Sequence, residues 1–159
     1  RSLNQYLEDV FEACKLNEKE LGILFLDIDY FKQLNDRYGH GKGDEGICAV
    51  ADALKKIFPE DYVARYGGDE FLVVMPERDL VYAMEHAKLL CADIRKCKIP
   101  NEDSEVEPWL TISVGGVCAI PREPNRVWDF LSAADNTLYE QKKEQKGKVR
   151  FYQGEGKYL

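Results

Sequence analysis

At 159 residues with 45% hydrophobic content, the chain can bury a core of its own without disulfide staples, and no apolar run reaches the length of a membrane span. A formal net charge of −7 argues against nucleic acid or a membrane surface as partner, because both attract a basic footprint. Cys14, Cys48, Cys91, Cys97 and Cys118 are odd in number and lack C-x-x-C spacing, so they read as reduced core thiols of a cytoplasmic domain rather than bridges or zinc ligands.

In chain order, Leu3, Tyr6, Leu7, Val10, Phe11 and Cys14 recur at helical spacing, with Ser2 and Gln5 placed as a capping box. A cap so near the first residue is what a domain taken from a longer chain shows. Leu21 to Leu26 is a nearly continuous apolar run, which fits a strand buried on both faces, and it ends in Asp27-Ile28-Asp29. Alternation puts Asp27 and Asp29 on one face. A helical stretch is predicted over 30–57, with Asp44 a candidate N-cap before Ile47, Val50, Ala51, Leu54 and Ile57. Two strand-like runs, 62–66 and 71–75, meet at Gly67-Gly68, which reads as a two-residue hairpin turn of the primed type. A helix over 79–97, a polar connection over 98–108, a strand over 109–118, a helix over 127–143 and a short strand over 149–152 complete one domain. No internal repeat or low-complexity segment interrupts it.

This βαββαβ order is that of a ferredoxin-like α+β sheet flanked by helices. In such a sheet the first and third strands are antiparallel neighbours, so the end of the first lies beside the start of the third, and Asp27 meets Asp69. Acids are depleted in strands, so Asp69 and Glu70 at a strand start call for a reason. Two carboxylates brought together repel and raise one another's pKa unless a hard cation joins them. Mg²⁺ is the natural ion for such oxygen ligands, with Mn²⁺ as the alternative.

Residues 67–71 read Gly-Gly-Asp-Glu-Phe, and with them the chain resembles the GGDEF family of diguanylate cyclases. The match extends to Asp27-Ile28-Asp29-Tyr30-Phe31-Lys32, Asn35-Asp36, Gly39-His40, Gly43-Asp44, Arg65-Tyr66, Ser113-Val114-Gly115, Ala134-Asp135, Leu138-Tyr139 and Lys142. The resemblance implies the antiparallel sheet of the nucleotidyl-cyclase or palm type, and the condensation of two GTP into cyclic di-GMP with release of two pyrophosphates. It implies that Asp27 and Asp69 ligate the metal through side chains and Ile28 through its carbonyl. Asp69 would also accept the proton of the ribose 3′-hydroxyl, with Glu70 supporting the metal site. Asn35 and Asp44 match positions that read guanine, while Phe31 and His40 fall among nucleotide contacts and Lys32 and Lys142 at phosphate contacts. Read from the residues alone, Asn35 is equally a solvated helix residue, His40 a turn residue, Lys32 an exposed helix lysine, and Lys142 part of a solvated basic run. The family further implies a transient homodimer through facing active sites, driven by an upstream sensory or dimerising region that can anchor the full-length protein to a membrane.

Two departures stand out. The Gly-Arg-Asn expected after the family's lysine is replaced by Gln145-Lys146-Gly147, so Lys146 supplies charge without the planar fork of a guanidinium. The inhibitory R-x-x-D that many members carry is replaced by Phe58-Pro59-Glu60-Asp61, so product inhibition through this site is not expected. The competing reading is a regulatory domain that binds GTP without turnover; a third is another nucleotidyl transferase or cyclase on the same sheet.

Overall fold

The computed structural model describes residues 1–154 and 157–159. Helix α1 (Leu3–Leu16) starts at Ser2, whose hydroxyl accepts from the Gln5 amide at 3.1 Å; the Gln5 side chain turns to Asp9 instead, so only half of the expected capping box forms. Strand β1 (Leu21–Ile28) is buried along its whole length and forms the spine of the sheet.

Around it lie β2 (Tyr62–Arg65), β3 (Glu70–Pro76), β4 (Ile112–Ala119), β5 (Val149–Gly154) and β6 (Lys157–Tyr158), in the order β2-β3-β1-β4-β5-β6. β1 runs antiparallel to both β3 and β4, as the ferredoxin-like order requires, and β5 adds to β4 in parallel. Alternation along β1 splits the core in two. Leu24, Leu26 and Ile28 join α2 (Phe31–Tyr38), α3 (His40–Ile57) and α4 (Leu80–Lys96), whereas Leu21, Ile23 and Phe25 join α1 and α5 (Val127–Glu144).

Four local expectations are corrected. The helical stretch 30–57 is two helices, broken at Gly39, whose φ of 89° is costly for any residue with a Cβ. Because α3 begins at His40, Asp44 is inside the helix and caps nothing. The hairpin is wider than the two-residue turn expected. Neither Gly67 nor Gly68 has positive φ; residues 66–69 form the loop, and the Tyr66 and Gly67 amides both reach the Glu70 carbonyl, at 2.8 and 3.3 Å. Arg65 holds that loop by donating to the carbonyls of Gly67 and Gly68. Finally, Cys14 and Cys91 are buried and Cys118 is partly so, but Cys48 and Cys97 are exposed and are not core thiols.

One close approach positions the site. A Cβ on Gly115 of β4 would lie 2.2 Å from the Leu138 amide nitrogen, so glycine alone lets the α5 backbone descend onto the sheet. Lys142 follows one turn later on that helix, over the end of β1. Among the described residues, no helix is long and apolar enough to cross a membrane.

Candidate active site

The C-terminal end of β1 and the start of β3 meet as the strand order demands. Asp27 pairs with Glu70 across one ladder and with Ser113 of β4 across the other, and the Ile28 amide donates to the Asp69 carbonyl at 3.3 Å. A cleft of about 510 Å³ opens there. Its wall contains Asp27, Ile28 and Asp69 from the sheet, Phe31, Lys32 and Asn35 from α2, His40 from α3, and Lys142 and Lys146 from the end of α5 and beyond. The hairpin thus brings Asp69 to Asp27. Glu70 stands on the rung opposite Asp27 but outside the cleft wall, and Asp44 is exposed on α3 and also outside it.

The charges explain what this cleft suits. Asp27 is 7% exposed, and burial pushes its carboxyl up to about 6, partly opposed by Lys142 and reinforced by the charges of Asp69 and Asp29. Lys142 donates to Asp27 Oδ2 at 2.5 Å; burial pulls its ammonium down, but the bond to Asp27 outweighs that and its pKa is raised. Asp27 Oδ1 is buried with no partner. An orphaned carboxylate oxygen beside a second acid is the kind of oxygen donor set that takes a hard divalent cation. Among the described residues, no group of three or more His, Cys, Asp or Glu gathers at one point. Asp27 and Asp69 are the acids in this cleft that could hold a hard cation such as Mg²⁺.

The remaining candidates divide by position. Lys32 is exposed at the start of α2 and pairs with Asp36 at 2.7 Å. Asn35 is pressed against Gly43: a Cβ there would lie 1.8 Å from Asn35 Oδ1, which is itself buried without a partner. His40 is the first residue of α3 and exposed at the rim. Lys146 lies over the Tyr30 ring, 5.5 Å from its centroid.

Sequence reasoning gave no role to the polar layer under this cleft. Asp29, 2% exposed, accepts from the hydroxyls of Thr111 and Ser113 at 2.8 and 2.6 Å. Asn101, fully buried in the 98–108 connection, donates to the carbonyls of Asp29 and Tyr30, steadying Tyr30 at a φ of 54°. The one available signal was an acid continuing the Asp27 motif beyond the strand.

Comparison with known proteins agrees with this fold. The family model "Diguanylate cyclase, GGDEF domain" matches residues 1–148. The chain is 35% identical over 126 residues to diguanylate cyclase VdcA of Vibrio cholerae, covering 78% of this chain and 37% of that protein. It is 32% identical over 146 residues to diguanylate cyclase A of Treponema denticola, covering 90% and 38%. The chain thus spans little more than a third of the length of these curated relatives. Among solved structures, the GGDEF domain of YfiN from Pseudomonas aeruginosa superposes with a TM-score of 0.81 at 28% identity, covering 94% of this chain and 92% of that one. The active GGEEF domain of a Vibrio cholerae diguanylate cyclase shares the fold, with a TM-score of 0.84 at 22% identity and 94% of both chains covered. With the strand order, the paired acids and the family match in agreement, the chain belongs to the GGDEF domain family of diguanylate cyclases.

Proposed function

We propose that this domain condenses two molecules of GTP into cyclic di-GMP and two pyrophosphates, working as a face-to-face pair. The observation that carries the reading is the buried, unpartnered Asp27 Oδ1 in a cleft shared with Asp69. Asp27, Asp69 and the Ile28 carbonyl hold the divalent ion, with Glu70 in support from the β3 position paired with Asp27. When bound, Mg²⁺ or Mn²⁺ neutralises triphosphate charge. Lys142, Lys146 and Lys32 meet the phosphates from the helix ends. Asn35, with Phe31 and His40 beside it, receives the base, and Asp44 on the next helix supplies an acceptor-only carboxylate suited to the donor edge of guanine.

In each half-reaction the 3′-oxygen of one GTP attacks the α-phosphorus of the GTP held by the facing domain. Its proton passes to Asp69, and the bond from α-phosphorus to the bridging oxygen of pyrophosphate breaks. Two such displacements close the ring. Each domain holds one nucleotide, so the rate depends on how often two domains meet.

Product inhibition through the hairpin side is not part of this reading. The Asp61 side chain is 1% exposed and already accepts from Tyr82 at 2.7 Å and Arg78 at 3.4 Å. Burial and this acceptor push Tyr82 up to about 12, so it remains a donor.

A concentrated sample incubated with Mg²⁺ and either GTP or ATP tests the proposal, with products identified by mass. Cyclic di-GMP from GTP alone, at a rate per domain that rises with protein concentration, is the expected result. GTP binding without product would instead establish the regulatory reading, in which Lys142 stays on Asp27 Oδ2 and no ion is taken up.

A further inference from the structure

Beneath the phosphate end of the cleft, a chain of hydrogen bonds joins segments far apart in sequence. Both Asp29 oxygens are taken, Oδ2 by the Thr111 hydroxyl and Oδ1 by that of Ser113. A carboxylate only accepts, so the Ser113 proton points at Asp29 and the oxygen's lone pairs face the other way. There the Gly147 amide donates to Ser113 Oγ at 2.9 Å, while the Gly147 carbonyl accepts from Arg95 Nη2 at 2.9 Å. Gly147 is therefore held through both of its backbone polar groups, at a φ of 80°. A Cβ there would lie 2.8 Å from both Arg95 Nη2 and Val106 Cγ1, so the clamp closes only on glycine.

Lys146 immediately precedes this clamped residue and lines the cleft. A lysine ammonium is a point charge on a flexible stem, unlike the pre-organised fork of an arginine. Fixing the backbone at its root removes part of the freedom it would otherwise lose on meeting a phosphate. We propose that Asp29, acting through Ser113 and Gly147, is a positioning residue that sets Lys146 over the triphosphate. The inference rests on reading the cleft as a GTP site and extends it to a buried carboxylate at the cleft wall whose two oxygens are both taken by protein hydroxyls.

The test is a double-mutant cycle of Ser113→Ala and Lys146→Met, which leaves Asp27 and Asp69 intact. Two quantities are read: the affinity for Mg²⁺–GTP by calorimetry, and hydrogen exchange of the Gly147 amide by NMR. Ser113→Ala is expected to speed Gly147 exchange at least tenfold and to weaken nucleotide binding by about fivefold, the scale of one lost hydrogen bond. In the Lys146→Met background the same change should have little further effect, because its path to the nucleotide is gone. A purely structural role would give effects that multiply, or would leave affinity unchanged; either overturns the proposal, as does unaltered Gly147 exchange. Arg95→Gln, which releases the loop from its partly exposed side, carries the same expectations should Ser113→Ala not fold. Binding of GTP without cyclic di-GMP would refute the proposed reaction and leave this inference standing. Product formation with an independent cycle would do the reverse.

Discussion

Asp27→Asn should make the ligand-free domain more stable while abolishing turnover. The Asp27 carboxyl is raised from 3.8 to about 6 by burial, against the pull of Lys142. A shift of about two units, at about 1.4 kcal/mol each, means that holding this group ionised in the folded state costs up to about 3 kcal/mol. Asparagine has nearly the same shape and no charge to desolvate. For a domain of this size that corresponds to a rise in melting temperature of roughly 6–12 °C at most. The folded pKa is the higher one, so protonation stabilises the fold. The wild-type deficit is present in full above about pH 6 and disappears as pH falls below the unfolded value of 3.8. Thermal melts of both proteins in metal-free buffer between about pH 4 and 8 should therefore show a gap that is widest near pH 8 and closes in acid. Mg²⁺ with GTP should raise the wild-type melting temperature and leave the variant unmoved. Equal melting temperatures at pH 8, or a gap that widens in acid, would refute the argument that burial of this charge is a net cost.

Asp69→Asn should cut cyclic di-GMP formation on the order of 10³-fold, the usual scale for a general base, with a melting temperature close to wild type; substantial residual turnover by mass analysis would remove Asp69 from the proton path. Gly115→Ala should cost about 3 kcal/mol or more in denaturant unfolding, because the added methyl meets the Leu138 backbone rather than a side chain that can move. Activity should fall with it, since α5 carries Lys142; a variant of wild-type stability would contradict the close approach. Asp61→Ala should lose about 1–3 kcal/mol by leaving the Tyr82 hydroxyl unpaired, with the response of the enzyme to added cyclic di-GMP unchanged. Tight product binding that this substitution abolishes would overturn the assignment of Asp61 to a purely structural contact.

Much of the fold was legible because it rests on short-period signals. The continuous apolar run of β1 announces a strand buried on both faces, and the strand–helix order places β3 beside it, which brings Asp27 to the hairpin acids. The errors fall where tertiary contacts override local propensity. The stretch 30–57 reads as one helix from its apolar spacing, yet Gly39 at a φ of 89° breaks it, α3 starts at His40, and Gly43 is accommodated where the Asn35 side chain fills the space of its missing Cβ. Gly67-Gly68 carries the signature of a tight turn, but the Arg65 guanidinium, reaching forward to two carbonyls, shapes a wider loop that no dipeptide rule encodes. The Asp29 layer was invisible for a different reason. Its partners lie 82 and 84 residues away and are linked by side-chain hydroxyls, which leave no periodic trace.

The buried polar atoms left without partners tell where this fold departs from its own stability. Among the described residues they are Asp27 Oδ1, Asn35 Oδ1, Asn101 Oδ1 and Trp109 Nε1, and the first two belong to residues that line the cleft. Each unpaired acceptor costs free energy in the ligand-free protein that a suitable donor or cation returns on binding. Asp27 asks for positive charge and Asn35 Oδ1 for a hydrogen-bond donor. A metal-bound guanine nucleotide offers both, one at its triphosphate and one at its base. Lys142 fits the same logic. Its ammonium partly neutralises Asp27 without satisfying both oxygens, which keeps the acid folded into the site while leaving one oxygen open. A lysine that filled the site completely would compete with the ion; one placed farther away would leave the carboxyl protonated more of the time. The observed contact lies between these limits.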